Sequence, residues 1–250
     1  MAPVPSESGH FAPPGRSFAT THWSVVLAAG QDASPDAQEA LEKLCRAYWY
    51  PLYAYVRRQG FSPEDAQDLT QEFFARFLQK KSFRRADRER GKFRTFLLTS
   101  LQHFLAHEWE RARAQKRGGG LPLLPWDERS AESRYQLDAT PDLAPDQVFD
   151  QRWALTLFQK ALTRLHQEFA AEGKAQQFDQ LKGFLSGVPA EGAYASAAAD
   201  LGLKGGAVAV AVHRLRRRYG ELVREEIAQT VASPAEVEEE LRHLIALISR

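Results

Sequence analysis

The sequence has little of several features that define common protein classes. It contains a single cysteine, Cys45, which excludes an intramolecular disulfide and suits a reducing compartment such as the cytoplasm. No apolar run approaches the roughly 20 residues that a transmembrane helix needs. Residues 1–17 also lack the apolar stretch of a signal peptide. We therefore expect a cytoplasmic protein without a membrane span.

The net charge is small as well, at +1 for 250 residues, but the charged residues are unevenly distributed. Residues 80–117 contain twelve Lys or Arg against four Asp or Glu. Residues 127–150 contain seven acids against two Arg, and residues 225–250 contain six acids against two Arg. A basic segment among acidic ones predicts a surface for a polyanion such as nucleic acid, although solvated helix faces have the same composition.

The apolar residues recur at spacings of three and four, with almost no sustained period of two, and this pattern predicts an all-α fold. Ser-Pro pairs beginning at Ser34, Ser62 and Ser233 each supply an N-cap and a proline in the first turn of a helix. Asp65 and Glu236 follow two of these serines at the spacing of a capping box. The predicted helices cover residues 35–58, 63–80, 92–116, 145–171, 175–186, 193–201, 205–228 and 234–248.

Residues 118–145 are rich in Gly, Pro and acidic side chains and have no clear helical period. We therefore predict a flexible linker there, which joins two small helical domains at residues 21–117 and 146–228. Residues 1–20 are predicted to be disordered, and residues 229–250 are predicted to form an amphipathic helical extension.

The second domain contains a short helix, a glycine turn at residues 202–206 and a longer basic helix. On the longer helix, an apolar stripe lies opposite three basic side chains. The stripe consists of Val208, Val212, Leu215, Tyr219 and Leu222, and the opposite face carries His213, Arg214 and Arg217. This order predicts a helix-turn-helix that presents its second helix to DNA, although a helical hairpin with a solvated basic face has a similar pattern.

The first domain contains an acidic helix followed by a basic segment. Asp65, Asp68 and Glu72 form one stripe of the helix beside aromatic residues, and this combination predicts a docking surface for a basic protein. Cations of the segment from Lys80 to Lys92 are interleaved with Phe83 and are followed by Phe93 and Phe96. That arrangement is typical of single-strand binding, although packing of the rings in the core explains the same pattern.

Three stretches carry the most specific patterns of the chain: LCRAYWYPLYAYVRRQGFSPEDAQDLTQEFFARFL, GKFRTFLLTSLQHFLAHEWERARAQKR and YASAAADLGLKGGAVAVAVHRLRRRY. With the helices between them they cover residues 38–228, and they resemble bacterial RNA polymerase sigma factors of the extracytoplasmic-function (ECF) subfamily of the sigma-70 family. The resemblance implies a sigma region 2-like domain at residues 21–117 and a region 4-like domain at residues 146–228. Such a protein is not an enzyme. It binds core RNA polymerase at the β′ clamp helices and the β flap, and it directs promoter recognition and melting in transcription initiation.

The resemblance also assigns residues by position. The helix that binds core polymerase would contribute Asp65, Asp68, Gln71, Glu72 and Phe73. The minus-ten strand of the promoter would meet Lys81, Arg84, Arg85, Arg88, Lys92, Arg94, His103, His107 and Arg111. The upstream minus-thirty-five duplex would meet Lys204, Val210, His213, Arg214 and Arg217.

Two departures from the family pattern affect promoter choice. Family members often carry Asn and Asp where this chain has His103 and His107, so promoter preference does not transfer. The first turn of the basic helix contains Ala and Val instead of polar residues. Because these side chains make no bidentate base contacts, we predict upstream binding that relies on phosphates and is weakly sequence-selective.

Other interpretations stay open at this point. An autonomous helix-turn-helix regulator would bind duplex operator DNA by itself, usually as a dimer, and would not need the acidic stripe. A metal-dependent nucleic-acid enzyme would use His103 and His107. Their context is not H-E-x-x-H and no cysteine lies nearby, so we predict neither a metal nor a cofactor.

The amphipathic tail also has two interpretations. Its apolar stripe, Val237, Leu241, Leu244, Ile245 and Ile248, predicts packing onto the second domain. Alternatively, its acidic residues predict a regulatory tail that holds the DNA-binding helix shut. An anti-sigma factor or a regulatory kinase is a further partner class, which the sequence does not identify.

Overall fold

The computed structural model describes residues 35–85, 91–114, 128–137, 142–187, 190, 192–202, 205–231 and 233–249. These residues form helices and contain no β-strand, so the all-α prediction is confirmed. The α-helices are α1 (Pro35–Arg58), α2 (Pro63–Gln79), α3 (Phe93–Ala114), α4 (Glu128–Leu137), α5 (Pro145–Ala171), α6 (Ala175–Leu181), α7 (Ala193–Leu201), α8 (Gly205–Ala228) and α9 (Val237–Ile248). Short 3-10 segments lie at Ser82–Arg85, Lys182–Leu185 and Pro234–Glu236. The predicted disordered segment, residues 1–20, lies outside the described residues.

The start of α2 follows the prediction from its Ser-Pro pair. The Ser62 hydroxyl oxygen accepts a hydrogen bond from the backbone N–H of Asp65 at 3.0 Å, and the hydroxyl donates to the Asp65 carboxylate at 2.9 Å. The pair at Ser233 starts a 3-10 turn instead of an α-helix. For this reason α9 begins at Val237, three residues after the predicted start.

The helices α1, α2 and α3 pack around aromatic side chains. Tyr48, Phe74 and Phe93 are fully buried, and Tyr48 meets Phe93 edge to face with ring centroids 5.5 Å apart. Phe83, from the basic segment, is buried as well, and its ring lies 6.1 Å from that of Phe77. Core packing therefore accounts for Phe83 and for Phe93, and stacking on bases does not.

The long helix α5 contacts helices from both ends of the chain. Near its start, Trp153 stacks on Tyr48 of α1 with ring centroids 6.2 Å apart. Further along, the carbonyl of Phe158 accepts a hydrogen bond from the Tyr219 hydroxyl of α8 at 3.2 Å. The tail helix α9 packs against both α5 and α8, so one buried cluster includes residues from α1 through α9. The division into two separately folded domains stays a prediction.

The predicted linker contains a helix that the sequence pattern did not reveal. Within residues 118–145, α4 docks on α1: Arg57 donates to the Glu132 carboxylate at 2.9 and 3.0 Å, and the Arg134 guanidinium lies 4.0 Å from the ring centroid of Tyr50. Partial burial acts to raise the pKa of Glu132, but the hydrogen bonds from Arg57 and Tyr53 outweigh it and lower that pKa. This part of the linker is therefore helical and anchored, in contrast to the prediction.

The glycine turn predicted between α7 and α8 begins at Gly202, and residues 203–204 of this turn lie outside the described residues. Gly202 has a φ of +63°, in the left-handed region that favours glycine, and its N–H caps α7 by hydrogen bonding to the carbonyls of Ala198 and Ala199. Val208, Val212 and Leu215 of α8 are buried, as the stripe predicted.

The structure also describes the two features that the sequence has little of, long apolar helices and cysteine. Among the described residues, no individual helix is both long and apolar enough to cross a bilayer, and only α7 and α8 taken together, bent by 98°, meet that test. Cys45 is buried, and this burial raises the pKa of its thiol to about 12. The thiol is therefore protonated and shielded at neutral pH.

Candidate nucleic-acid interface

The start of α2 carries an acidic surface, which we define as Asp65, Asp68 and Glu72. Asp65 and Asp68 are exposed, and Glu72 is partly exposed. Arg76, one turn further along α2, pairs with Glu72 and lies 2.5 Å from Glu108 of α3. Asp68 makes no ion pair with the described residues, so its full charge is available to a partner.

An exposed aromatic side chain lies beside the acidic surface. A depression of about 380 Å³ is lined by the three acids together with Phe61, Leu69, Leu105, Glu108 and Trp109. Trp109 of α3 is 63% exposed. The predicted combination of acids and an aromatic is therefore present, but its aromatic comes from α3. The sequence reasoning missed Trp109, although its position four residues after Leu105 pointed to the same side of α3.

Two residues assigned to the same surface lie inside the fold. Gln71 is 5% exposed and Phe73 is 3% exposed. The Phe73 ring packs against Phe77 and Phe104 at centroid distances of 5.6 and 5.8 Å. These two side chains therefore support α2 from within, and they do not form part of the exposed acidic surface.

A groove of about 630 Å³ lies between the end of α2 and the middle of α3. Its lining consists of Phe73, Arg76, Phe77, Lys80, Ser82, Phe96, Thr99, Ser100, His103, Phe104, His107 and Glu108. His103 and His107 are exposed on its rim, and Lys81 is exposed next to it. A groove with aromatic walls and with lysine and histidine side chains at its edge can accommodate an unstacked base and its phosphate.

Lys92 and Arg94 lie apart from this groove. Arg94 is 5% exposed at the start of α3, where its Nε lies 3.1 Å from the Asp150 carboxylate of α5. Its guanidinium also pairs with Glu240 of α9, and Lys92 pairs with the other oxygen of the same carboxylate. Arg94 and Lys92 were both predicted to contact DNA, and in the structure both pair with the carboxylate of Glu240.

The remaining residues assigned to the minus-ten strand and one assigned to the duplex cannot be placed. Arg88 and Lys204 lie outside the described residues, as do the side chains of Arg84, Arg85 and Arg111.

The second cationic face lies on α8. His213, Arg214 and Arg217 are exposed, and Val210 is 51% exposed on the preceding turn. Arg217 pairs only with Glu221 of its own helix, at 3.0 Å, among the described residues. A face of this kind can contact phosphates along a duplex.

Two neighbouring arginines of α8 have structural partners instead. Arg216 donates to the carbonyls of Phe184 and Gly187 at 2.8 and 3.2 Å. Arg218 donates to both oxygens of Glu168 at 2.6 and 2.8 Å, and these hydrogen bonds lower the pKa of Glu168. The run of basic residues is therefore divided between an exposed face, with Arg214 and Arg217 as the apolar stripe predicted, and a face whose arginines anchor α8 to neighbouring elements.

Among the described residues, His103 and His107 of α3 have no cluster of metal ligands around them. Within the described part of the chain, no group of three or more His, Cys, Asp or Glu side chains could hold a metal ion.

An acidic surface and two cationic regions on one helical scaffold are typical of a protein that binds nucleic acid together with a protein partner. Comparison with known protein families identifies one family of this class to which part of the chain is similar. Residues 44–115 match the family model for Sigma-70 region 2, and this range extends from α1 to just beyond the described end of α3. The chain therefore contains a sigma-70 region 2 domain, which supports its membership in the sigma-70 family.

Proteins of the sigma-70 family are transcription initiation factors and not enzymes, and region 2 implies interactions with core RNA polymerase and promoter DNA. The comparisons do not support an anti-sigma factor or a kinase as a partner. Neither the curated proteins nor the solved structures contain a significant match to this chain.

Proposed function

We propose that this protein is a sigma factor of the ECF type. It binds core RNA polymerase, captures the melted minus-ten strand with region 2, and contacts the minus-thirty-five duplex with a region 4-like helix-turn-helix. The observation that carries the proposal is the match of residues 44–115 to Sigma-70 region 2, because this range includes the acidic surface and the whole lining of the groove.

The acidic surface is the proposed docking site for the β′ clamp helices. Asp65 and Asp68 are exposed on one side of α2, and Trp109 offers an apolar contact beside them. Acidic side chains steer a basic partner towards the surface, whereas a partly exposed aromatic side chain supplies contact area that resists dissociation. The β flap is the corresponding proposed partner of the region 4-like domain.

The groove is the proposed site for the minus-ten strand. His103, His107 and Lys81 offer exposed donors at its edge, and Phe96 and Phe104 contribute to its walls. Single-stranded DNA fits this combination because phosphates attract the cations while an unstacked base fills the aromatic part. Lys92 and Arg94 lie apart from the groove, and they are proposed as further contacts of the same strand after they leave the Glu240 carboxylate.

An in vitro transcription assay tests the proposed function. Core polymerase and the protein are mixed with a promoter library in which the minus-thirty-five and minus-ten positions are randomised and a short bubble is pre-melted. We expect transcripts from a selected subset of templates only when both proteins are present. Dimeric binding to a duplex palindrome without any effect on polymerase would instead identify the autonomous regulator.

Upstream duplex binding by α8 should depend on phosphate contacts. We expect the double variant Arg214→Ala/Arg217→Ala to weaken binding of the upstream duplex by the polymerase complex roughly tenfold or more. The slope of log affinity against log salt is negative, and each lost phosphate contact reduces its magnitude by about 0.9. The loss of two contacts should therefore make the slope shallower by about 2. Fluorescence anisotropy of labelled duplexes at several salt concentrations measures both quantities.

The matched control for this prediction is Arg242→Ala, which removes an exposed arginine from α9 and should leave the slope unchanged. The weakening should be similar for different upstream sequences, because Val210 and its alanine neighbours offer no bidentate base contact. A loss restricted to one sequence would show that the arginines read bases.

A further inference from the structure

The tail helix α9 delivers one buried carboxylate to the start of α3. Glu240 is 1% exposed, and each of its carboxylate oxygens pairs with a different cation. One oxygen pairs with the guanidinium of Arg94 and the other with the ammonium of Lys92. The residues that pair here lie about 150 positions apart in the chain, so only the folded arrangement joins them.

Arg94 is enclosed on its other sides as well. Its Nε lies 3.1 Å from Asp150, and its guanidinium lies 4.9 Å from the ring centroid of Trp153, both on α5. Stacking of Trp153 on Tyr48 extends the contact to α1. While Glu240 occupies this position, a DNA phosphate has no access to the Arg94 guanidinium.

Further contacts attach α9 to α5 and α8. Arg224 of α8 pairs with Glu238 at 2.6 Å, and Gln151 of α5 donates to the carbonyl of Leu247 at 3.2 Å. Val237 and Leu244 are buried in this interface. The tail helix α9 therefore contacts α8, α5 and the start of α3 at the same time.

Two features indicate that this attachment is reversible. First, a buried ion pair is a weak source of stability, because desolvation offsets most of its Coulomb energy and an apolar pair of similar volume often stabilises a fold as well or better. Second, α9 leaves part of its apolar stripe uncovered, since Ile245 and Ile248 are 46% and 37% exposed. The hydrophobic contribution of α9 is therefore smaller than that of a fully buried stripe.

The charge of Glu240 matches this role. Burial acts to raise the pKa of its carboxyl, but the neighbouring Arg94 and Lys92 outweigh this effect, so the pKa lies below its ordinary value. The side chain is therefore an anion at neutral pH, like the phosphate with which it would compete.

We propose that α9 is an intramolecular latch in which Glu240 occupies Arg94 and Lys92 in place of a promoter phosphate. In the free protein, the latch withholds these two cations and holds α9 against α5 and α8. Binding of promoter DNA in the polymerase complex displaces Glu240 and releases the tail. This inference rests on the proposed function, because it takes Arg94 and Lys92 as contacts of the minus-ten strand.

The variant Glu240→Gln tests the latch in the full chain. The substitution keeps the shape of the side chain but removes the charge that competes with phosphate. We expect it to bind a labelled single-stranded oligonucleotide at least about tenfold more tightly than the wild-type protein, measured by anisotropy. The matched control is Glu239→Gln, which removes the same charge from an exposed neighbour and should bind like the wild type.

Hydrogen exchange of the unaltered protein provides a second measurement, in case the variant does not fold. Amides of residues 237–248 should exchange faster when the oligonucleotide is bound, because the tail is released. Equal binding of the oligonucleotide by both variants would overturn the latch, and so would unchanged exchange of the tail in the bound state. If transcription still depends on polymerase and this protein in that case, the proposed function stands without the latch. Absence of strand binding and of transcription in every variant would overturn the proposed function and the latch together.

Discussion

Asp68→Arg is expected to weaken binding to core RNA polymerase about 100-fold. Asp68 is exposed on the acidic surface and makes no ion pair with the described residues, so the substitution should not disturb the fold. Placing a positive charge against a basic partner replaces attraction with repulsion, which costs several kcal/mol at an interface. Because each 1.4 kcal/mol is a factor of ten in affinity, about 3 kcal/mol corresponds to the expected loss.

Pull-down titration or anisotropy with labelled protein measures this affinity, and in vitro transcription should fall in parallel. Glu172→Arg is the matched control, because it makes the same charge reversal at an exposed position at the end of α5. Circular dichroism should show equal helix content for both variants. Wild-type affinity in a folded Asp68→Arg protein would exclude α2 as the docking helix.

Trp153→Ala is expected to destabilise the protein by about 3–5 kcal/mol. Trp153 is 3% exposed, stacks on Tyr48 of α1 and lies under the guanidinium of Arg94. Truncation of a buried tryptophan removes its transfer free energy and leaves a cavity, and losses of about this size are typical. A domain with an ordinary stability of about 5–15 kcal/mol would lose a large part of it.

Urea unfolding followed by circular dichroism measures this change. Leu155→Ala is the control on the same helix, because Leu155 is 37% exposed and its truncation should cost much less than that of the buried Trp153. A loss below about 1 kcal/mol for Trp153→Ala would mean that α5 does not pack on α1 in solution, which is the arrangement expected of two separately folded domains.

The helices themselves were predictable because their signals are local. Ser62 with Pro63 marks the start of α2, and the predicted helix differs from the observed one by a single residue at its end. The helix α4 was missed because its ten residues lie among prolines and acids and its anchor is tertiary: Glu132 and Arg134 dock on Arg57 and Tyr50. The local composition of a segment does not predict such a tertiary partner.

Helical spacing predicts which side of a helix faces solvent, and this part of the candidate site was predictable from the sequence. The spacing placed Asp65, Asp68, Arg214 and Arg217 on exposed faces, and all four are exposed. Phe73 was assigned to the docking surface by resemblance, although it lies in the same apolar stripe as Ala66 and Phe77. The stripe was the better guide, since all three side chains are buried.

Arg94 and Glu240 show the limit of this reasoning. Arg94 lies three residues before Leu97 and seven before Leu101, and Glu240 lies three after Val237 and four before Leu244. Both spacings belong to a buried face. A charged side chain at such a position is costly to bury alone, so its burial is expected only when its partner is known. Here the two residues are each other's partners.

The sequence by itself determined most of the helices, their exposed charges and the stretch that matches Sigma-70 region 2, because the patterns that reveal them lie within short stretches of the chain. Only the tertiary structure decided which helices meet and which charges are paired. The reason is physical: a buried ion pair such as Arg94 with Glu240 forms where distant helices exclude water together, and spacing along the chain does not encode that encounter.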